Sequence, residues 1–242
     1  MVYSSINNDK IKSIKKLYNK KYRDQNNMFL VEGLHLVEEA YKSNCLISIV
    51  ILDGYDLEYD IDKIFVSDKV MKYLSELDKP TKYIGICEKK NNTNISDRLV
   101  ILDDIQDPGN LGTIIRSSVA FNFNTILISK NSVDVYNSKV IRASQGMLFK
   151  VNVIVCDIEQ EIKKLKDNGY SIVGTDVVNG SKVNEFAKVK KIAIIMGNEG
   201  NGLSSNIKKL CDEFIYIDMN SLCESLNVGV ATSIIMYELN KE

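Results

Sequence analysis

A single histidine, His35, occurs in the whole chain, and the five cysteines (Cys45, Cys87, Cys156, Cys211 and Cys223) are scattered with no CxxC pair. A zinc centre needs clustered thiolate or imidazole ligands, so no metal site is expected. A disulfide framework and a Ser-His-Asp triad are equally out of keeping with this composition, and proton transfer must fall to groups other than histidine. Cys87 and Cys156 lie in apolar runs, where a thiol packs as a small hydrophobe. No apolar run approaches the roughly 20 residues that a membrane span needs. The first ten residues, MVYSSINNDK, lack the apolar stretch of a secretion signal. A cytoplasmic protein with no membrane partner is expected.

Net charge is also scarce, at −1, which does not mark a nucleic-acid binder. Its distribution says more. Residues 1–23 carry Lys10, Lys12, Lys15, Lys16, Lys20, Lys21 and Arg23 against Asp9 alone. The plain reading is a solvated helix face. Tyr18 and Tyr22, interleaved with the lysines, can stack on bases and tilt that reading toward RNA.

What the chain does have is an ordinary globular composition, 45% hydrophobic and 26% charged, and length enough for one large domain or two modest ones. Strand and helix patterns alternate almost throughout. In the first part, strands are expected at 28–32, 47–52 and 83–87, with helices over 33–42 and 67–77. The polar, Asn-rich stretch KKNNTNISD (89–97) is the linker candidate, dividing the chain into domains at 1–93 and 94–242. In the second part, strands are expected at 99–103, 125–129, 151–155, 171–175, 191–196 and 213–217. Helices fall near 110–121, 137–149, 158–168, 204–210 and 225–239. Continuous apolar strands such as IAIIM (192–196) suit a sheet buried on both faces, so the class is α/β with a mostly parallel sheet.

Ligands of such sheets bind beyond the carboxyl ends of the strands, and three polar, glycine-rich segments fall there. In LDDIQDPGNLGTIIRSSVAFNF (102–123), Asp107-Pro108-Gly109 is a turn and Asn110 is placed to cap the following helix. Gly112 in the first turn costs about 1 kcal/mol relative to alanine, which is more plausible where something approaches the backbone. Asn110, Thr113 and Arg116 form a polar ridge along that helix. In MGNEGNGLS (196–204), three glycines leave backbone N–H groups open. Glu199 in that loop is suited to orienting an arginine. In IDMNSLCESLNVGVATSIIMYEL (217–239), Ser225 and Asn227 stand where the last helix begins. Taken singly, each segment has an unremarkable explanation as a capped helix or tight turn.

Their order and spacing do not. NLGTIIR, MGNEGNGLS and ESLNVGVA together resemble the three motifs of the SpoU (TrmH-type) RNA ribose methyltransferases. FLVEGLHLVEEA (29–40) resembles the substrate-binding amino-terminal domain of the ribosomal-RNA members, and IRASQGMLF (141–149) a segment between the first two motifs. The resemblance implies a carboxy-terminal trefoil-knotted (SPOUT-type) domain, an exception to the rule against threaded loops. Before it would stand a small α/β domain like ribosomal protein L30. It implies S-adenosylmethionine as cofactor, RNA as partner, a homodimer with the site near the dimer interface, and methyl transfer to a ribose 2′-hydroxyl. By motif position, Arg116, Asn110, Glu199, Ser225 and Asn227 match the catalytic and active-site set. Met196, Gly197, Asn198, Gly200, Gly202, Ile217, Met219, Ser225 and Leu226 match the cofactor loops. Lys15, Lys16, Lys20, Lys21, Arg23, Phe29, Glu32 and Arg142, with Gly33, are the candidates for the RNA surface. The chain departs from the family at Asp218, where proline is usual, and at Ser221, where glycine is; both flank the cofactor loop and bear on its stiffness.

The resemblance implies that Arg116 activates the hydroxyl, held by Glu199 and Asn110. A guanidinium is effectively always protonated, so steadying negative charge on the oxygen and gripping a phosphate is its easier role. Ribosomal RNA is the expected target. Transfer RNA, a resistance-type modification of ribosomal RNA and a non-catalytic RNA-binding assembly factor of the same fold stay open. A dehydrogenase is disfavoured, because the glycines at 197–202 lack the GxGxxG order.

Overall fold

The computed structural model describes residues 1–90, 94–177 and 180–241. Residues 91–93 of the expected linker lie outside that set. The chain forms two compact units, Met1–Asn91 with Tyr136–Phe149, and Asn92–Val135 with Lys150–Glu242.

The first unit contains β1 (Val2–Tyr3), α1 (Asp9–Lys16), α2 (Lys20–Asn26), β2 (Met28–Glu32), α3 (Leu34–Lys42), β3 (Leu46–Leu52), β4 (Asp62–Val66), α4 (Asp68–Leu74) and β5 (Tyr83–Glu88). The strands form a mixed sheet in the order β1-β4-β3-β5-β2. β5 runs antiparallel to both β2 and β3, whereas β3, β4 and β1 are mutually parallel. Asn8 caps α1 by accepting from the Lys10 N–H. The i, i+3 spacing of Ile11 and Ile14, with Leu17 beyond, sets one apolar edge of that helix against Val50, Ile64, Ile84 and Ile86. Gly85 is needed on the sheet's other face. A Cβ there would stand 2.7 Å from Leu46 and 2.8 Å from Val31, leaving no room under α3.

β4 was not expected from sequence. Only Ile64 and Val66 of its five residues point into the core, too short an alternation to stand out between charged neighbours. The 136–149 segment, which follows the linker in the chain, belongs to this unit. Tyr136 and Phe149 place their rings 4.6 and 6.2 Å from Phe29. α6 (Ser138–Ser144) is shorter than the expected helix over 137–149, because Gln145 (φ 50°) and Gly146 (φ 84°) turn left-handed and stop it.

The second unit contains β6 (Arg98–Leu102), α5 (Pro108–Ala120), β7 (Thr125–Ser129), β8 (Asn152–Cys156), α7 (Ile158–Asp167), β9 (Ser171–Thr175), β10 (Ser181–Lys182), β11 (Ile192–Met196), α8 (Ser205–Lys208), β12 (Glu213–Tyr216) and α9 (Val228–Leu239). All seven strands are parallel, in the order β10-β12-β9-β11-β6-β7-β8. Every residue of β11 is buried, as its unbroken apolar run requires. α7 covers one face with Ile158, Ile162 and Leu165 packed on Leu99, Ile101 and Leu127. α5 and α9 pack on each other, with Ser117 and Ser233 hydroxyls 2.6 Å apart. Arg98 ends α9 by donating to the Leu239 carbonyl at 2.7 Å and to that of Ala187 at 2.9 Å.

From β6 the chain steps outward to β7 and β8, then crosses to β9 on the far side of β11. The strand order therefore reverses between β6 and β11, the place where a parallel sheet opens a crevice at its carboxyl edge. Among the described residues, no helix is long and apolar enough to cross a membrane, and no cluster of histidine, cysteine or carboxylate side chains could hold a metal.

Candidate active site

Loops leave the carboxyl ends of β6 and β11 at that reversal and of β12 two strands away, and side-chain amides join all three. The β6 loop enters α5 through Asp107, whose carboxylate accepts from the Asn110 N–H at 2.8 Å. Asp107 is thus the cap, not Asn110. Pro108 already has helical geometry at the first position, where its missing N–H costs nothing, and this moves the helix start forward. Asn110 is left in the first turn, buried, with its side chain free for other work.

Asn110 donates to the Glu199 carboxylate at 3.1 Å and accepts from the Asn227 amide at 2.7 Å. Glu199 also accepts from the backbone N–H groups of Asp107 at 3.1 Å and Gln106 at 3.3 Å. Asn227 in turn caps α9, its Oδ1 accepting from Gly229 at 2.9 Å and Val230 at 3.2 Å. The helix expected from Ser225 therefore starts at Val228, because Asn227 is extended and takes the cap. Glu199, Asn110 and Asn227 form one chain of hydrogen bonds across all three loops. Partial burial works against ionisation of Glu199. The bonds from Asn110 and from its own, Asp107 and Gln106 backbone N–H groups outweigh it, holding the carboxyl below the ordinary glutamate value of 4.5.

The β11 loop is folded back on itself. Asn198 and Gly202 pair as an antiparallel bridge, and the Asn198 side chain accepts from the N–H groups of Gly200 and Asn201. Its amide donates to the Asp104 carbonyl at 2.8 Å, tying this loop to the β6 loop a second time. Gly197 is enclosed by the turn, and a Cβ there would come within 2.2 Å of the Gly202 backbone.

A cavity of about 400 Å³ opens beside these loops. It is lined by Met196, Gly197, Asn198, Gly200, Gly202, Ile217, Met219, Ser225 and Leu226, so every expected cofactor-loop residue reaches it. Glu199 and Asn227 line it as well. Sequence reading missed Thr175, Asp176 and Ile215, which are among the other residues that line it. Thr175 ends the apolar strand β9 at the same carboxyl edge, and that position was the available signal. The wall mixes apolar side chains with convergent polar groups, as a cofactor site does. Its size and open backbone groups suit S-adenosylmethionine, with apolar side chains for the adenine and polar ones for the amino-acid end. Asp218 and Ser221 are both exposed in the loop after β12.

Arg116 departs from expectation. Its side chain is exposed and makes no hydrogen bond or ion pair among the described residues. Glu199 and Asn110 do not hold it, since their polar atoms are engaged with each other and with the loop backbone. Arg116 lies six positions beyond Asn110 on the helix, about 9 Å along the axis.

The expected RNA residues also divide. Phe29 is 2% exposed and belongs to the aromatic cluster with Tyr136. Arg23 is buried and donates to the Leu17 and Tyr18 carbonyls. Glu32 is buried too, accepting from the Tyr18 hydroxyl at 2.9 Å, the Ser75 hydroxyl at 2.5 Å and the Glu76 N–H at 3.0 Å. Burial and the Glu32 carboxylate together raise the Tyr18 hydroxyl far above its ordinary range. These three residues hold the first unit together and are not an RNA surface. Lys15 donates to the Leu74 carbonyl and Lys20 pairs with Asp24, while Lys16 and Lys21 project beside Tyr22. Arg142 is half-buried, with its Nη1 enclosed and without a partner. Gly33 (φ 98°) precedes α3 as a backbone turn.

Comparison with known proteins identifies this arrangement. The pattern of the SpoU rRNA Methylase family matches residues 97–237. The chain belongs to that family. Residues 8–85 match an MRM3-like substrate binding domain. A 23S rRNA (guanosine(2553)-2′-O)-methyltransferase, RlmP of Bacillus subtilis, is 34% identical over 97% of this chain and 97% of its own. The structure of an AdoMet-bound rRNA methyltransferase from Sinorhizobium meliloti superposes with a TM-score of 0.87 at 26% identity, covering 99% of this chain and 97% of that one. An RNA 2′-O ribose methyltransferase structure superposes at 0.82 with 26% identity, covering 99% and 98%. The SpoU chain described here is an S-adenosylmethionine-dependent RNA 2′-O-ribose methyltransferase.

Proposed function

We propose that the RNA is ribosomal, that the first unit binds it, and that the cavity beside Glu199, Asn110 and Asn227 holds the cofactor. The observation that carries the site is the hydrogen-bond chain through those three residues, which fixes three distant loops around one cavity. The RlmP relative, similar along its whole length, makes a guanosine ribose of large-subunit RNA the first target to test. Bound in the cavity, S-adenosylmethionine supplies an electrophilic methyl group. Asn198 and the glycines beside it keep backbone groups turned inward, and Met196, Ile217, Met219 and Leu226 exclude water around them. Ser225 shapes the mouth. Much of the acceleration comes from positioning, which is worth several kcal/mol.

Arg116 remains the residue for the hydroxyl. Unpaired and exposed, it is free to grip an RNA phosphate and to steady negative charge on the attacking oxygen. The same exposed face of α5 and α9 carries Thr113, Val230 and Tyr237, and we assign it to a homodimer contact that brings substrate and site together. The trefoil threading of the second unit and a cytoplasmic location follow from the same family reading. A domain boundary near residue 93 belongs to the same reading, supported by compact units that divide between Asn91 and Asn92 and group 136–149 with the first.

The deciding experiment is methyl transfer from labelled S-adenosylmethionine to fractionated, unmodified RNA, wild type beside Arg116→Ala, with the product nucleoside identified. A 2′-O-methylated ribosomal nucleoside lost in the variant, with cofactor affinity kept, is the expected outcome. Near-normal turnover in Arg116→Ala would refute its role, and transfer to transfer RNA alone would refute the ribosomal assignment.

A further inference from the structure

The first unit holds a cavity of its own, about 320 Å³, between α1, α2 and the sheet. Its floor is apolar, formed by Ile14, Leu17, Ile64 and Ile86. Lys16 and Tyr22 stand at its rim, where the Lys16 ammonium lies 5.3 Å and that of Lys21 6.0 Å from the Tyr22 ring centre. Lys16 and Lys21 make no ion pair among the described residues, whereas Lys10 at the opposite rim faces Asp62 at 3.8 Å.

Ser48 also lines this cavity. It is 7% exposed, and its hydroxyl makes no hydrogen bond among the described residues. That hydroxyl opens onto the cavity, where it is available to a polar group of a ligand. The backbone supports the same reading. The pairing of β3 with β5 slips between Leu46 and Ser48, a bulge of the kind that re-aims side chains beside binding sites. Ile47, at the slip, is 39% exposed on the rim.

We propose that this cavity receives one unstacked base of the RNA substrate. The proposal rests on the reading that the first unit binds RNA, and it names where. The isoleucines and Leu17 take the apolar face of the base, Tyr22 offers a ring for stacking, and the Ser48 hydroxyl meets a polar group on the base edge. Lys16 and Lys21 are placed for the flanking phosphates, while Asp62 offsets Lys10 and leaves the opposite rim weakly charged. A hydroxyl both donates and accepts, so Ser48 selects an extruded base over a paired one more than it selects one base over another. Only a nucleotide in a loop, bulge or end can enter, since bases in an A-form helix are not accessible in this way.

The test uses the full chain and an unmodified large-subunit ribosomal RNA transcript, with dissociation constants measured at several salt concentrations. Thermal unfolding and S-adenosylmethionine affinity serve as controls for folding. Tyr22→Ala is expected to weaken binding about tenfold with the salt slope unchanged, as loss of a stacked base does. Ser48→Ala, which removes only the hydroxyl, weakens it in the same manner. Exposed Lys16→Ala instead lowers the salt slope by about one, the mark of a lost phosphate contact. Wild-type affinity and slope in all three variants overturn the base cavity while leaving RNA methylation by the chain intact. Failure of the wild type itself to bind the transcript overturns the underlying assignment of RNA binding, and the cavity with it.

Discussion

Replacing Asn110 by aspartate should make stability respond to pH in the direction opposite to the wild type near the active site. In the native chain the Asn110 amide donates to Glu199, and the Glu199 carboxyl lies below its ordinary value. A depressed carboxyl contributes stability that is complete above the unfolded value and is lost only as pH falls through the folded one. The wild-type link is therefore intact from pH 8 down to about 5. Asn110→Asp keeps the shape and still accepts from Asn227, but sets two carboxylates at the present 3.1 Å contact. A charge-assisted hydrogen bond worth about 1.5–3 kcal/mol is replaced by repulsion. With solvent reaching Glu199, a total cost of about 3 kcal/mol at pH 8 is reasonable. The pair then shares a proton, one carboxyl is raised, and the cost shrinks by about 1.4 kcal/mol for each unit of that rise as pH falls toward 5. Asn110→Ala, which removes the bonds without adding charge, costs about 2 kcal/mol with no such recovery. Urea unfolding at pH 5.5 and pH 8, followed by circular dichroism, measures both. An Asp variant whose deficit is the same at the two pH values would refute the reasoning, as would an Ala variant within about 0.5 kcal/mol of wild type.

Gly197→Ala places a methyl group against the Gly202 backbone, so the 198–202 turn must open. S-adenosylmethionine affinity should fall at least about tenfold by calorimetry, an energy of ~1.4 kcal/mol, and an unchanged affinity would remove the turn from the cofactor site. Arg98→Ala strips the carbonyls of Leu239 and Ala187 of a charged donor, and a loss of about 2 kcal/mol in unfolding free energy is expected; a loss below ~0.5 kcal/mol would show the cap to be idle. Thiol labelling of the native protein should reach exposed Cys223 first. Cys87, whose thiol is pushed well up by complete burial, should react only on unfolding, and Cys156 and Cys211, pushed up to about 11, should lag behind Cys223 at pH 8. Equal labelling rates would contradict the burial described here.

Sequence by itself determined the elements whose signal is local. β11 is legible because its short run of apolar residues suits a strand buried on both faces better than a helix of that length, and α7 because its buried residues recur at helical spacing. The three active-site loops were legible through the order and spacing of their motifs, since each alone reads as a capped helix or a tight turn. What required tertiary structure was anything depending on a partner far along the chain. Asn110 bonds residues 89 and 117 positions away, and nothing local distinguishes that role from a helix cap. Arg23 read as a surface residue because it ends a basic run, and Phe29 and Glu32 because they stand in the segment that resembles a substrate-binding domain. Only the fold supplied the hydroxyls of Tyr18 and Ser75, the carbonyls of Leu17 and Tyr18, and the ring of Tyr136 that bury them. Segment 136–149 shows the same limit, since its helical pattern is local but the surface it packs on lies a hundred residues earlier. Periodicity reports which face of an element is buried; what that face meets is decided by the packing of the whole chain.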